Sequence, residues 1–183
     1  MPKFSYFKAP VSNIIPAKDI TLLEAFKLIK SEPYRDRTHR LRSITSKAEA
    51  RKFKASKFDY ATFSGTFSKR NDKALLNHSG LLTIDFDHIP NLLQLKNQLL
   101  SDEYFETELL FISPSGDGLK WIISIDITVS THQNFFNAIA NYIKEVYQVE
   151  VDKSGKDISR ACFLPHDPDV FINPKYLKEN ETK

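Results

Sequence analysis

"GLLTIDFDHIPNLLQLKNQLLSDEYFETELLFISPSGDGLKWIISIDI", residues 80–127, decides the fold, because its periodicity changes four times. Leu81–Phe86 is a short apolar run of strand length. From Pro90 to Ser101, Leu92, Leu95, Leu99 and Leu100 share one helical face. Glu108–Ile112 returns to strand. "SPSGDG" (113–118) is a turn, and Leu119–Ile127 is a strand with Trp121, Ile123 and Ile125 opposite Lys120, Ile122 and Ser124. Downstream, Phe135, Phe136, Ile139, Ile143 and Val146 stripe a helix over Thr131–Tyr147. Arg160–Pro165 reads as a last short strand, and Asp169–Ile172 is available to extend the sheet. The order predicts an α+β fold with a ferredoxin- or RRM-like β-α-β-β-α-β core, helices on one face and the other face open to a substrate. The absence of a helix between the second and third strands argues against a Rossmann fold.

The N-terminal part is an α/β extension. Residues 1–20 carry three prolines and read as an irregular arm. "DITLLEAFKLIKSE" (19–32) is a helix with Leu22, Leu23, Phe26 and Ile29 as its stripe, and Thr21 with Glu24 forms a capping box. Residues 45–57 suit a second, basic helix capped by Thr45 or Ser46. "DYATFSGTF" (59–67) is a strand in which Gly65 marks a bulge or a close approach. The expected organisation is one domain: a basic part over 1–75, the RRM-like core over 76–175 and a charged tail over 176–183.

Composition narrows the function. At 41% hydrophobic and 27% charged, the 183 residues suit a globular chain with a real core. No apolar run approaches the ~18 residues of a membrane span. The first residues hold no continuous apolar stretch, so no secretory signal is expected. A single cysteine, Cys162, excludes an intrachain disulfide and a cysteine-rich zinc site, which fits a cytoplasmic location. The net charge is only +3, but residues 35–73 hold twelve Lys and Arg against four Asp and Glu. Phe53, Phe58, Tyr60, Phe63 and Phe67 are interleaved there, a pattern suited to nucleic acid or to an ordinary solvated helix beside strand aromatics.

Three stretches can carry chemistry. Asp85 and Asp87 stand two apart at the end of a strand and so share a face. Like charges that close repel, and Mg²⁺ or Mn²⁺ would relieve them; the bland alternative is a capped polar turn. Ser113, Ser115 and Gly116, with Lys120 just beyond, suit phosphate oxygens, or else form a plain hairpin loop. In "VEVDKSGKDISRACFLPHD" (149–167), Asp152 offers a third carboxylate for a metal and Arg160 a clamp for phosphate. The alternative there is a surface ion pair between Asp157 and Arg160. No HExxH, Walker A or G-x-S-x-G motif occurs.

The order of these stretches resembles the archaeo-eukaryotic primase superfamily, the primase-polymerases. More closely, "FSGTFSKR" (63–70), "HSGLLTIDFDH" (78–88), "FISPSGDGLKW" (111–121) and "VDKSGKDISRACFLPHDPDVFIN" (151–173) are similar to the VirE N-terminal-like domain of Bacteroidetes and their mobile elements. The resemblance spans roughly residues 20–175. It implies that Asp85, Asp87 and Asp152 are catalytic metal carboxylates, and that Ser113, Ser115, Gly116 and Lys120 bind the incoming triphosphate, joined by Arg160. Typical members end the second motif in histidine; here that place is Lys120. The implied activity is template-directed nucleotidyl transfer with Mg²⁺ or Mn²⁺ in replication of chromosomal or mobile-element DNA. Nucleoside triphosphates and DNA would be the substrates, Arg42 and Arg70 would grip the template, and a helicase or replication protein is an expected partner. The alternative is a catalytically inactive nucleic-acid or nucleotide-binding module assisting such a partner. A metal-dependent nuclease using the same carboxylates is a third class.

Overall fold

The alternating and helical stretches become ten strands and six α-helices in a computed structural model that describes residues 1–178. In chain order they are β1 (Lys3–Phe7), β2 (Lys18–Thr21), α1 (Leu22–Lys30), α2 (Arg35–Ser43), α3 (Lys47–Lys57), β3 (Tyr60–Thr62), β4 (Gly65–Phe67), β5 (Leu75–His78) and β6 (Leu81–Phe86). Then follow α4 (Leu92–Leu100), β7 (Thr107–Ile112), β8 (Leu119–Ser124), α5 (His132–Tyr147), β9 (Cys162–Phe163), β10 (Phe171–Ile172) and α6 (Lys175–Lys178). Among the described residues the strands form three antiparallel sheets, ordered β2-β1-β3-β9, β10-β7-β8-β6 and β4-β5. The fold is α+β.

The central sheet has a helix face and a sheet face, and side-chain parity assigns each residue. Leu82, Ile84 and Phe86 of β6 and Leu119, Trp121 and Ile123 of β8 pack with Leu95 and Leu99 of α4 and Phe136, Ile139 and Ile143 of α5. The opposite parity turns Leu81, Leu109, Phe111 and Ile122 toward Phe4, Tyr6, Ile20 and Leu22 of the N-terminal part. That face is therefore roofed by β1, β2 and α1 rather than open. The end of the sheet that carries Asp85 and Lys120 borders a cleft instead.

Four further expectations need correction. The irregular arm contains a hairpin of β1 and β2, because Phe4, Tyr6, Phe7 and Ile20 each have a buried place to fill. The strand over 59–67 breaks into β3 and β4 and pairs into two different sheets. Gly65 is a close-approach point, since a Cβ there would lie 2.3 Å from the Asn77 carbonyl. The strand over 160–165 leaves the central sheet and pairs as β9 with β3, tying the C-terminal half to the N-terminal sheet. β10 extends the central sheet, beside β7. Finally, the tail is packed where it begins: Lys175–Lys178 is helical and Tyr176 is buried, while 179–183 lie outside the described residues. Lys175 Nζ also reaches Glu108 Oε1 at 2.7 Å, closing a buried carboxylate on the sheet.

Candidate phosphate-binding cleft

Strand register builds the centre of the site. Asp85 of β6 is the cross-strand partner of Lys120 on β8, so both project from the same face, at its end beside the cleft. Lys120 Nζ lies 2.9 Å from Asp85 Oδ2, with the two side chains 13% and 4% exposed. Burial alone would push the Lys120 ammonium down; the Asp85 carboxylate more than reverses this and holds it above the usual lysine range. Asp85 Oδ1 is buried and has no hydrogen-bond partner. Burial and the Asp85 charge push the Cys162 thiol up to about 12, so it stays protonated and is no nucleophile near neutral pH.

Asp152 joins this centre through the backbone. Its N–H donates to the Asp85 carbonyl at 3.0 Å, which lays the segment after α5 along the free edge of β6. Its side chain accepts from Ser154 N–H at 2.9 Å and from Arg160 Nη2 at 3.1 Å. Burial raises its pKa, but the Ser154 bonds and the Arg160 charge overcome that and hold the carboxyl below the usual range. The Ser113–Gly116 turn forms the next wall. Gly116 N–H donates to the Ser113 carbonyl at 2.9 Å, and Gly116 sits at φ +87°, a left-handed conformation that suits glycine. The turn is fastened to the end of β6: His88 Nδ1 meets Asp117 Oδ2 at 2.6 Å, and Ile89 N–H donates to the Asp117 carbonyl at 2.8 Å.

These parts surround one cleft of about 790 Å³. Asp85, Asp87, Asp152, Ser113, Ser115, Lys120, Arg160, Arg42 and Arg70 all line it; Gly116 stands behind the turn, its Cβ position 3.0 Å from Arg42 Nε. Seven Lys and Arg line the cleft against five Asp, so its field favours anions. Asp87 is exposed, one residue past the end of β6.

Arg42 and Arg70 differ from expectation in what their guanidinium groups hold. Arg42 donates Nε to the Pro114 carbonyl at 3.1 Å and Nη2 to the Ser113 carbonyl at 3.2 Å, fixing the turn on α2. Arg70 donates Nε to the Tyr60 hydroxyl and Nη2 to the Val11 carbonyl, both at 3.0 Å. The basic groups that sequence reasoning left unselected are Lys47, Arg51 and Lys54 on α3, which faces the cleft. Their i, i+4, i+7 spacing puts them on one helical stripe, and that spacing was the available signal. Lys54 is pulled below its usual range by burial and by the Lys120 charge.

A divalent ion does not fit the centre while Lys120 is in place. Among the described residues, no three His, Cys, Asp or Glu groups are placed to hold a metal ion. Two like unit charges 4 Å apart repel by about 4 kcal/mol at an effective dielectric near 20, and a divalent ion doubles that. Asp85 already has its counter-charge in Lys120, and Asp152 has Arg160.

A histidine relay supports the loop that carries Asp152. Gly80 N–H lies 3.0 Å from His78 Nδ1, His78 Nε2 lies 3.1 Å from His132 Nδ1, and His132 Nε2 lies 3.4 Å from the Gly155 carbonyl. Read in that direction, every bond is satisfied with both rings neutral. Burial first, and the neighbouring ring second, lower His78 to about 4; burial also lowers His132. Depressed histidines bind protons more readily in the unfolded chain. The contribution of this pair to stability is therefore present above pH 6.5 and is lost as the pH drops from 6.5 toward 4. For His78 the full loss is on the order of 3 kcal/mol. Urea unfolding at pH 7.5 and 4.5 checks this, and His78→Phe should flatten the difference.

No curated protein and no solved structure matches the chain. Residues 52–171, however, match the family of BT4734-like N-terminal domains. That stretch runs from within α3 to β10 and contains the Asp85–Lys120 pair, the Ser113–Gly116 turn, Asp152 and Arg160, while α2 with Arg42 lies outside it. With the greater part of its length matched, the chain belongs to the BT4734-like N-terminal domain family.

Proposed function

We propose that the cleft binds nucleic acid and nucleotide phosphates, as a replication-associated module of the primase-polymerase kind. In this reading a triphosphate lies between the Ser113–Gly116 turn, Lys120 and Arg160, and a single strand runs along Lys47, Arg51 and Lys54. The observation that carries it is convergence. Three stretches far apart in sequence, 85–88, 113–120 and 152–160, meet in one cation-rich cleft with a basic helix across it. The strand arrangement supports the primase-type fold. β6 and β7 flank β8 with α4 as crossover, and the Val151–Asp152 segment lies against the outer edge of β6 as a fourth strand of that fold would. DNA, nucleoside triphosphates and a helicase or replication protein remain the proposed partners, and the cytoplasm the proposed location; no helix among the described residues is long and apolar enough to cross a membrane.

A second reading is nucleotidyl transfer with Mg²⁺ or Mn²⁺, in which a 3′-hydroxyl attacks the α-phosphate and pyrophosphate leaves. The unpartnered, buried Asp85 Oδ1 and the exposed Asp87 favour it, but it requires Lys120 to release Asp85. Fluorescence anisotropy with a labelled single-stranded oligonucleotide, with unlabelled dATP as competitor, tests the main reading. Binding should weaken steeply with salt, dATP should compete, and Arg160→Gln should reduce the competition about tenfold, the scale of one charged hydrogen bond. No binding at 50 mM salt contradicts the proposal. Incorporation of labelled nucleotide onto a primer with Mn²⁺ establishes the second reading.

A further inference from the structure

The central carboxylate of the cleft already has a cation, and that cation is part of the chain. Asp85 and Lys120 are cross-strand partners, so the backbone itself sets their approach. Their 2.9 Å contact lies at the buried end of the cleft, where the side chains are 4% and 13% exposed. A second acid of the cleft, Asp152, is matched by a side-chain cation as well. Arg160 Nη2 lies 3.1 Å from Asp152 Oδ2, and Lys54 lines the same cleft as Asp87. We propose that Lys120 serves as the resident cation of this site, occupying the position beside Asp85 that a divalent ion would take, so that the cleft binds the phosphates of a nucleoside triphosphate without a metal ion of its own.

This inference rests on the phosphate-binding reading for its ligand, but its geometric half stands apart and is tested apart. Lys120 offers three N–H donors, one of them directed at Asp85 Oδ2, and lines the same cleft as the Ser113–Gly116 turn. A phosphate oxygen entering there meets an ammonium already oriented by a buried carboxylate. Asp85 thus acts as a positioning residue, and its own second oxygen is left without a partner.

The test uses Mn²⁺ alone, followed by electron paramagnetic resonance on the full chain. In the wild type, Asp85→Asn should change Mn²⁺ affinity less than twofold, because Asp85 is not free to bind the ion. Lys120→Ala should raise Mn²⁺ affinity at least tenfold, and adding Asp85→Asn to it should abolish the gain. If Lys120→Ala fails to fold, the comparison of wild type with Asp85→Asn decides by itself. A wild-type chain that loses tenfold or more in Mn²⁺ affinity with Asp85→Asn overturns the proposal, as does a folded Lys120→Ala that gains nothing. Triphosphate binding is measured separately by dATP titration in EDTA. Affinity within threefold of that in Mn²⁺ supports the metal-free half, and binding seen only with Mn²⁺ overturns it. No dATP binding under either condition overturns it too, and sinks the phosphate-binding reading, whatever the Mn²⁺ titrations show.

Discussion

Lys120→Met is expected to lower the stability of the domain by about 3–5 kcal/mol, the usual cost of removing one partner from a buried ion pair. The reason lies in Asp85. Its side chain is 4% exposed, and Lys120 is the partner of its Oδ2, while Oδ1 has none. Without the ammonium the carboxylate must remain charged in a buried site, take up a proton or find another cation. Adding Asp85→Asn to Lys120→Met should recover most of the loss, because a neutral amide beside a thioether leaves no uncompensated charge. Urea unfolding at pH 7 of the two single variants and the double variant measures the coupling directly. A loss under 1 kcal/mol for Lys120→Met would mean that the pair is not closed in solution.

The second large effect concerns the helix opposite. Replacing Lys47, Arg51 and Lys54 with glutamine should weaken binding of a single-stranded oligonucleotide on the order of 100-fold at 0.1 M salt. It should also reduce the magnitude of the log–log salt slope by about 2, since each lost phosphate contact to a single strand removes about 0.7. Stability should barely change, because α3 has no fully buried residue. The contrast with Arg42 is part of the prediction. Arg42→Gln should act mainly by loosening the Ser113–Gly116 turn, to which it donates two hydrogen bonds, and so weaken triphosphate binding more than strand binding. Equal, small effects of the triple substitution on slope and affinity would place the nucleic acid elsewhere.

What the sequence made legible follows from local pattern. The 81–124 region was readable because strand parity and helical spacing are properties of neighbours in sequence, and the capping box at Thr21 and Glu24 is present for the same reason. The same parity put Asp85 on one face of β6, and the structure places Lys120 opposite it. Long-range choices were not readable. Nothing local to Cys162–Phe163 says that this pair of residues joins β3 rather than the central sheet. Nothing in "KFSYF" (3–7) distinguishes an arm from a strand except the buried space its aromatic rings come to fill. The carbonyl bonds of Arg42 and Arg70 were not readable because a count of basic residues does not show which guanidinium groups bind carbonyls. The Asp85–Asp87 pair suggests a metal from sequence because their like charges are visible there, whereas Lys120, the ion-pair partner of Asp85, stands 35 residues away on another strand.

The most direct test of the account follows backbone amide shifts of the isotope-labelled chain as dATP is added in EDTA. The account predicts the largest shifts at Ser115, Gly116 and Asp117, with Lys120 and Arg160 next, and parallel loss of those shifts in Arg160→Gln. Shifts absent from the 113–120 turn, or concentrated instead on the separate surface lined by Lys8, Lys18, Glu24 and Lys27, would contradict it.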